Sequence, residues 1–174
     1  PWSGRNAFTS IKTTQATVPI DYSSTLFCGL TPLTGGECGT GCTWKFNHNN
    51  KDLVITGSGN VGITNVESGQ APWYVKRNEI DSITITGITT IGNYAFENCN
   101  KITEISLPST ITTIGDYSFT GCENIQTITW NNIETIGSHS FEGCLGIDSL
   151  PLEKVKIIGD NAFSGCVNVE NINI

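Results

Sequence analysis

The stretch IGNYAFENCNKITEISL, residues 91–107, decides the fold because it is the first of four similar copies in the chain. The same string, with substitutions, begins again at Ile114, Ile136 and Ile158, after steps of 23, 22 and 22 residues. The four copies share the pattern I-G-x-x-[AS]-F-x-x-C-x-x-[IV]-x-x-[IL]. A unit of this kind cannot bury its apolar side alone and stacks on its neighbours. The second half of the chain is therefore predicted to be a solenoid, a stack of like coils.

The apolar positions of the four copies align in columns that predict the interior of this stack. They are Phe96, Phe119, Phe141 and Phe163; Cys99, Cys122, Cys144 and Cys166; Ile102, Ile125, Ile147 and Val169; and Ile105, Ile128, Leu150 and Ile172. A period of about 20–29 residues with an L-x-x-L-x-L core is typical of a leucine-rich repeat. A half unit at residues 80–88 precedes the first full copy, so the repeats are predicted to start near residue 80.

Each coil is predicted to contain one strand and one helical turn. The alternation in Ile102-x-x-Ile105-x-Leu107 indicates a short strand with its apolar side chains inward, and such strands are expected to form one parallel sheet on the concave side. The convex side is expected to carry single helical turns. Their predicted N-caps are Asn93, Asp116, Ser138 and Asp160, and their predicted left-handed ends are Asn98, Gly121, Gly143 and Gly165. The fold class is thus an α/β repeat solenoid.

The N-terminal part predicts a cap for the stack. Two alternating runs, Trp44-x-Phe46 and Leu53-x-Ile55, flank a polar segment and indicate a β-hairpin that covers the first coil. Three parts are expected: an arm or linker over 1–36, a capping module over 37–79 and leucine-rich repeats over 80–174, with the last coil unfinished. Such an end predicts either a fragment of a longer solenoid or self-association through the open C-terminal coil.

The repeated string I-G-x-Y-[AS]-F-x-x-C-x-x-I-x-x-I resembles the BspA-like leucine-rich repeat family, also called the Treponema pallidum type. The resemblance covers residues 80–174, and the segments at 42–46, 53–59 and 71–74 are similar to an N-terminal module that often precedes such repeats. It implies an extracellular or cell-surface protein of a host-associated microbe. It also implies adhesion to host proteins or cells.

The net charge and the motifs disfavour several classes of function. A net charge of −7 leaves no basic patch for nucleic acid or anionic lipid, and no apolar stretch reaches the roughly 18–20 residues that span a bilayer. His48 and His139 have no apparent catalytic partner, and capping explains the carboxylates of Asp116 and Asp160. We therefore expect a protein that is not an enzyme and needs no cofactor and no metal.

The seven cysteines fall into two groups. The four in the repeats are expected to fill the interior as small hydrophobic side chains. Of Cys28, Cys38 and Cys42, two are expected to form a disulfide, and the sequence leaves the pairing open. An alternative is a zinc site made by these three thiols and His48, although their spacing does not match paired C-x2-C knuckles.

Two surfaces are candidate binding sites. The preferred one is the concave face, formed by residues that flank the inward strand positions: Ser82, Thr84, Thr86, Glu104, Ser106, Thr127, Thr129, Asn131, Ser149 and Glu153, with Pro108 and Pro151 beside them. The alternative is that these residues only solvate the sheet, since no large aromatic or Arg anchor is among them. The second surface is the convex aromatic column of Tyr94, Tyr117 and His139, ending at Asn161. Its rings are expected either to anchor a partner or to pack over neighbouring coils.

Trp130 shares a column with Ile85, Leu107, Leu152 and Ile174 and is interpreted as core filling. The function predicted from these features is binding of a host or extracellular-matrix protein, or of a glycan, by a surface or secreted scaffold. The alternative is a structural spacer or capping fragment of a longer solenoid with no ligand of its own.

Overall fold

A computed structural model describes residues 34–39, 41–61 and 71–174. Most of the predicted arm at 1–36, together with Cys28, lies outside the described residues. The described residues form eleven strands: β1 Gly35–Gly39, β2 Cys42–Asn47, β3 Asp52–Val61, β4 Ser82–Ile91, β5 Glu104–Ser106, β6 Thr113–Ile114, β7 Thr127–Thr129, β8 Thr135–Ile136, β9 Ser149–Pro151, β10 Ile157–Ile158 and β11 Asn171–Asn173.

The predicted hairpin is confirmed as strands β2 and β3. They pair antiparallel with Trp44 opposite Ile55 and Phe46 opposite Leu53, and these four side chains are buried. The other edge of β3 pairs in parallel with β4, so that Leu53 lies beside Ile83. The hairpin therefore extends the sheet of the solenoid and places its apolar face over the first coil.

Trp73 joins this hairpin to the coils. Its ring meets that of Trp44 edge-on at 6.0 Å and stacks on Phe96 at 5.7 Å, while its indole N–H donates to the carbonyl of Ala95 at 2.7 Å. A buried indole needs such a partner for its N–H. The hydrogen bond and the two ring contacts fix the cap on the first full coil.

The coils are joined by strands on two sides. One seven-stranded sheet runs in the order β1-β2-β3-β4-β6-β8-β10, and its two-residue strands β6, β8 and β10 end at the isoleucine of each Ile-Gly pair. The predicted concave strands are present as β5, β7, β9 and β11, but they pair as β5 with β7 and β9 with β11 instead of forming one sheet. Pro151, the last residue of β9, has no backbone N–H to donate to a neighbouring strand.

The predicted helical turns on the convex side are wrong. Among the described residues, the single helical element is a 3-10 turn at Tyr74–Lys76, outside the four copies. In the copies the N–H groups of Tyr94, Phe96 and Asn98 donate to carbonyls of the next coil at 2.7–3.0 Å. Forming the first turn of a helix is unfavourable, because it fixes several residues for a single hydrogen bond, and a helix of one turn has no further turns to offset that cost. Hydrogen bonds between coils satisfy the same backbone groups at lower conformational cost.

The predicted helix N-caps have a different role for the same reason. The side-chain oxygen of Asn93 accepts the N–H of Asp116 at 2.9 Å, and Asp116 accepts the N–H of Ser138 at 2.8 Å. Each side chain thus caps the backbone of the coil above it. The predicted left-handed residues are confirmed, with φ of 58° at Asn98 and 71° at Gly121.

The interior matches the predicted columns except at Ile172, whose side chain is 57% exposed. The rings of the phenylalanine column, Phe96, Phe119, Phe141 and Phe163, stack at centroid distances of 5.1, 5.2 and 5.5 Å. Beside them the thiols of Cys122, Cys144 and Cys166 donate to the phenylalanine carbonyls of the preceding coil at 3.0–3.2 Å. Each coil therefore adds one aromatic ring and one thiol to a continuous core.

Cys38 and Cys42 form a disulfide between β1 and β2. The sequence left this pairing open. The zinc alternative is wrong because the bond uses two of the three thiols that it required, and the His48 ring lies edge-on against Phe46. In the described residues, no group of three or more His, Cys, Asp or Glu side chains is placed to hold a metal.

Candidate binding surfaces

The predicted concave face lies on strands β4, β5, β7 and β9 and on the residues that follow them. Side chains alternate along a strand, so the residues between the buried isoleucines and leucines point to solvent. The ten predicted side chains are all exposed: Ser82, Thr84, Thr86, Glu104, Ser106, Thr127, Thr129, Asn131, Ser149 and Glu153. On the paired strands β5 and β7, Glu104 lies opposite Thr127 and Ser106 opposite Thr129. This pairing brings these four residues to adjacent positions on one side.

Asp52 is a residue of this face that the sequence did not indicate. Its carboxylate accepts the hydroxyls of Ser82 at 2.8 Å and Thr84 at 3.1 Å. The contact depends on β3 lying beside β4 with Asp52 in register with Ser82, thirty residues away in the chain. Two of the predicted site residues are thus held in place by a carboxylate, which makes this end of the face acidic.

The far end of the face is held by other hydrogen bonds. The side-chain amide of Asn131 donates to the Leu107 carbonyl at 2.9 Å. The Lys154 ammonium donates to the Asn131 carbonyl and to the Asn132 side chain, both at 2.8 Å. The amide of Asn131 therefore positions the coil as well as facing solvent.

The predicted concave residues include two carboxylates, Glu104 and Glu153, and no cation. Asp52 adds a third carboxylate at one end, and the ammonium of Lys154 lies beside Asn131 at the other.

The structure places the convex aromatic column as one stack of rings. Tyr94 and Tyr117 lie parallel at 4.9 Å, and Tyr117 and His139 at 4.6 Å. The backbone at these three residues and at Asn161 is left-handed, with φ of 55–56°. The imidazole Nδ1 of His139 lies 2.7 Å from a carboxylate oxygen of Glu142. These rings are only partly exposed, since each covers the next.

Trp130 occupies the interior column as predicted, but only in part. Its ring lies 5.3 Å from Phe141 and 6.3 Å from Phe163. In the same column Leu107 and Leu152 are buried, whereas Trp130 keeps part of its indole exposed. The indole therefore both fills the core and contributes surface at the end of β7.

The thiols of the repeats are poor nucleophiles. Burial raises the pKa of Cys99 to about 12, and it raises the pKa values of Cys122, Cys144 and Cys166 above the usual range. Reactive cysteines have lowered pKa values because the thiolate is the attacking species. The cysteines of the repeats therefore serve to fill the core of the stack.

None of the helical segments in the described part of the chain has the length and apolar character that crossing a bilayer requires.

Solved structures of bacterial leucine-rich-repeat proteins share this fold. The chain is similar to one from Eubacterium ventriosum (22% identity, TM-score 0.58, 79% of this chain and 43% of that chain). It is also similar to the Treponema pallidum leucine-rich-repeat protein (20%, 0.53, 75% and 78%) and to one from Bacteroides ovatus (24%, 0.55, 78% and 40%). The chain thus spans about two fifths of the length of the first and third of these proteins.

No curated protein matches the sequence. A family model described as the BspA type leucine-rich repeat region matches residues 73–174 in six copies, which is more than half of the chain. With the coil geometry described above, this match establishes that the chain belongs to the BspA-type leucine-rich-repeat family.

Proposed function

We propose that this chain is a non-catalytic, cell-surface or secreted scaffold that binds a host or extracellular-matrix protein through its concave face. The observation that carries the proposal is the set of ten exposed side chains on strands β4, β5, β7 and β9 and in the residues just after them. Repeat proteins use extended surfaces of this kind to bind macromolecules. A surface of small hydroxyls and carboxylates offers a partner both donors and acceptors of hydrogen bonds.

The rigidity of the stack supports this role. The stacked phenylalanine rings and the hydrogen bonds between coils hold neighbouring strands in fixed register. A preorganised surface loses little conformational entropy when a partner binds. A modest contact area can therefore give useful affinity.

The acidic character of the face indicates the kind of partner. Asp52, Glu104 and Glu153 lie along it, and the chain as a whole is acidic. Complementary charge accelerates encounter and fixes orientation. We therefore expect a protein partner with a basic patch, with binding that weakens as the salt concentration rises.

The proposed location outside the cell is supported by the Cys38–Cys42 disulfide. Disulfides persist in oxidising compartments and are rare in the cytosol. The family resemblance to surface and secreted proteins of host-associated microbes points the same way.

The test is binding of the purified chain to immobilised fibronectin, laminin and collagen by surface plasmon resonance. A triple variant carries Thr84→Arg, Ser106→Arg and Thr129→Arg on three concave strands. A control variant carries the same added charge elsewhere, as Ser109→Arg, Thr112→Arg and Ser164→Arg at exposed positions. We expect the concave variant to bind at least about tenfold more weakly than the control. Equal loss in both variants, or in neither, would contradict the proposal.

A further inference from the structure

We infer that the cleft beside Trp130 is a binding site for a sugar ring of a neutral oligosaccharide. The cleft has a volume of about 390 Å³ and is lined by Trp130, Asn131, Pro151, Glu153 and Lys154. Small-ligand sites have volumes of about 300–1,000 Å³ and combine apolar walls with a few placed polar groups. The cleft is open to solvent, has a volume at the low end of this range, and combines an indole and a proline ring with three polar side chains.

Packing of the core does not require a tryptophan at position 130. Leu107 and Leu152 occupy the same column in the neighbouring coils and are buried, so a leucine is enough to complete the core there. Trp130 packs one part of its ring on Phe141 and keeps another part exposed in the cleft. An aromatic ring of this kind offers a flat apolar surface beside water.

The cleft lies where the concave strands are not paired with each other. Trp130 directly follows β7, which pairs with β5, and Pro151 ends β9, which pairs with β11. The two apolar walls therefore come from neighbouring coils. Each wall is held by the hydrogen bonds of its own pair of strands, so the space between them does not depend on a ligand.

The polar groups of the cleft are held in place. Lys154 donates to the Asn131 carbonyl and to the Asn132 side chain at 2.8 Å, and Asn131 is itself bonded to the Leu107 carbonyl. A lysine ammonium has three donors, so one N–H remains for a ligand. The exposed carboxylate of Glu153 supplies acceptors. The cleft thus presents a donor and an acceptor together with an aromatic face.

This combination fits the chemistry of a sugar. A pyranose has a face of C–H groups, which packs on an aromatic ring, and a rim of hydroxyls that both donate and accept hydrogen bonds. A peptide anchor needs a desolvated apolar pocket, and three of the five lining residues are polar. Glu153 and Lys154 balance in charge within the cleft, and the net charge of −7 on the whole chain disfavours sulfated or sialylated sugars.

The inference deepens the proposed function, because Asn131 and Glu153 belong to the concave face as well as to the cleft. Its test uses lactose, maltotriose, mannotriose and N,N′-diacetylchitobiose, each titrated into the chain. Saturation-transfer NMR detects contact of sugar C–H groups with the protein. Calorimetry gives the affinity.

Two variants and one control are compared with the unmodified chain. Trp130→Leu restores the residue type of the neighbouring coils and removes the aromatic face. Glu153→Gln keeps the shape and removes the charged acceptor, while Glu97→Gln changes a carboxylate outside the cleft in the same way. We expect at least one sugar to bind, with affinity reduced about tenfold or more in Trp130→Leu and severalfold in Glu153→Gln, and unchanged in Glu97→Gln.

The inference is overturned when none of the four sugars binds, or when Trp130→Leu, shown by its melting curve to be folded, binds as the unmodified chain does. Capture of a peptide library that depends on Trp130 would also overturn it in favour of a peptide site. Sugar binding without any matrix-protein binding would contradict the proposed function alone. Matrix binding that depends on the concave face, without sugar binding, would contradict this inference alone.

Discussion

The phenylalanine column and the convex aromatic column are two stacks of rings built by the same repeat, only two residues apart in each coil. Phe96, Phe119 and Phe141 stack at 5.1 and 5.2 Å inside the core. Tyr94, Tyr117 and His139 stack at 4.9 and 4.6 Å on the outside. The spacing of the coils sets both distances, so stacking alone does not show which column stabilises the fold.

Burial and backbone conformation separate the two columns. Phe96, Phe119 and Phe141 are fully buried, whereas the outer rings are partly exposed and sit on left-handed backbone. Such a conformation is unfavourable for an aromatic residue and readily adopted by Gly or Asn. The inner column therefore adds stability by removing apolar area from water. In the outer column, the stacking of the rings offsets part of the energetic cost of the left-handed backbone.

The largest effect is expected from the inner column. Phe119→Ala removes a fully buried ring from between two others and should lower the free energy of unfolding by about 3–5 kcal/mol. Urea denaturation followed by circular dichroism measures the change. A loss below about 1 kcal/mol would show that the coils collapse around the gap and that the column is not the main support.

A smaller effect is expected from the thiols beside this column, and it depends on pH. Burial raises the pKa of Cys99 from its ordinary value of 9.0 to about 12, so the unfolded chain loses this proton first as the pH rises. The protonated thiol's contribution to the free energy of unfolding is fully present below pH 9 and is lost as the pH rises toward 12. At pH 10 the free energy of unfolding should be roughly 1 kcal/mol lower than at neutral pH.

Cys99→Ala serves as the control for this prediction, because it lacks the titrating thiol. Its stability should fall less between pH 9 and pH 10 than that of the unmodified chain. Equal slopes would mean that Cys99 is hydrated and that the inner column is less dry than its burial indicates.

The smallest effect is expected from the outer column. Tyr117→Asn removes two ring contacts but places a residue that tolerates the left-handed backbone, as Asn161 does in the last coil. We expect a loss of about 1 kcal/mol or less in the same urea assay. Tyr117→Ala removes the same contacts without that tolerance and should be the less stable of the two variants. A loss in Tyr117→Asn equal to that in Phe119→Ala would abolish the distinction between the columns.

The residues that form the concave face could be predicted from the sequence. Ser106 and Thr129 follow from the period-two pattern around buried residues, since alternation in a strand is a local property. Asp52 was not predictable, because its contact with Ser82 depends on β3 and β4 lying in register across thirty residues. The cleft beside Trp130 was missed because the sequence places that residue in an interior column and does not show how much of the ring remains exposed.

The sequence by itself determined the length of the coil, the columns that fill its interior and the hairpin that covers its first turn. These features follow from apolar periodicity, which the burial of apolar area enforces in any arrangement of the coils. The tertiary structure alone decided the convex backbone, the pairing of the concave strands and the second role of Asn93 as a cap for the next coil. A segment of six residues has no strong preference of its own. Hydrogen bonds to the neighbouring coil therefore determine whether it becomes a helical turn or a ladder.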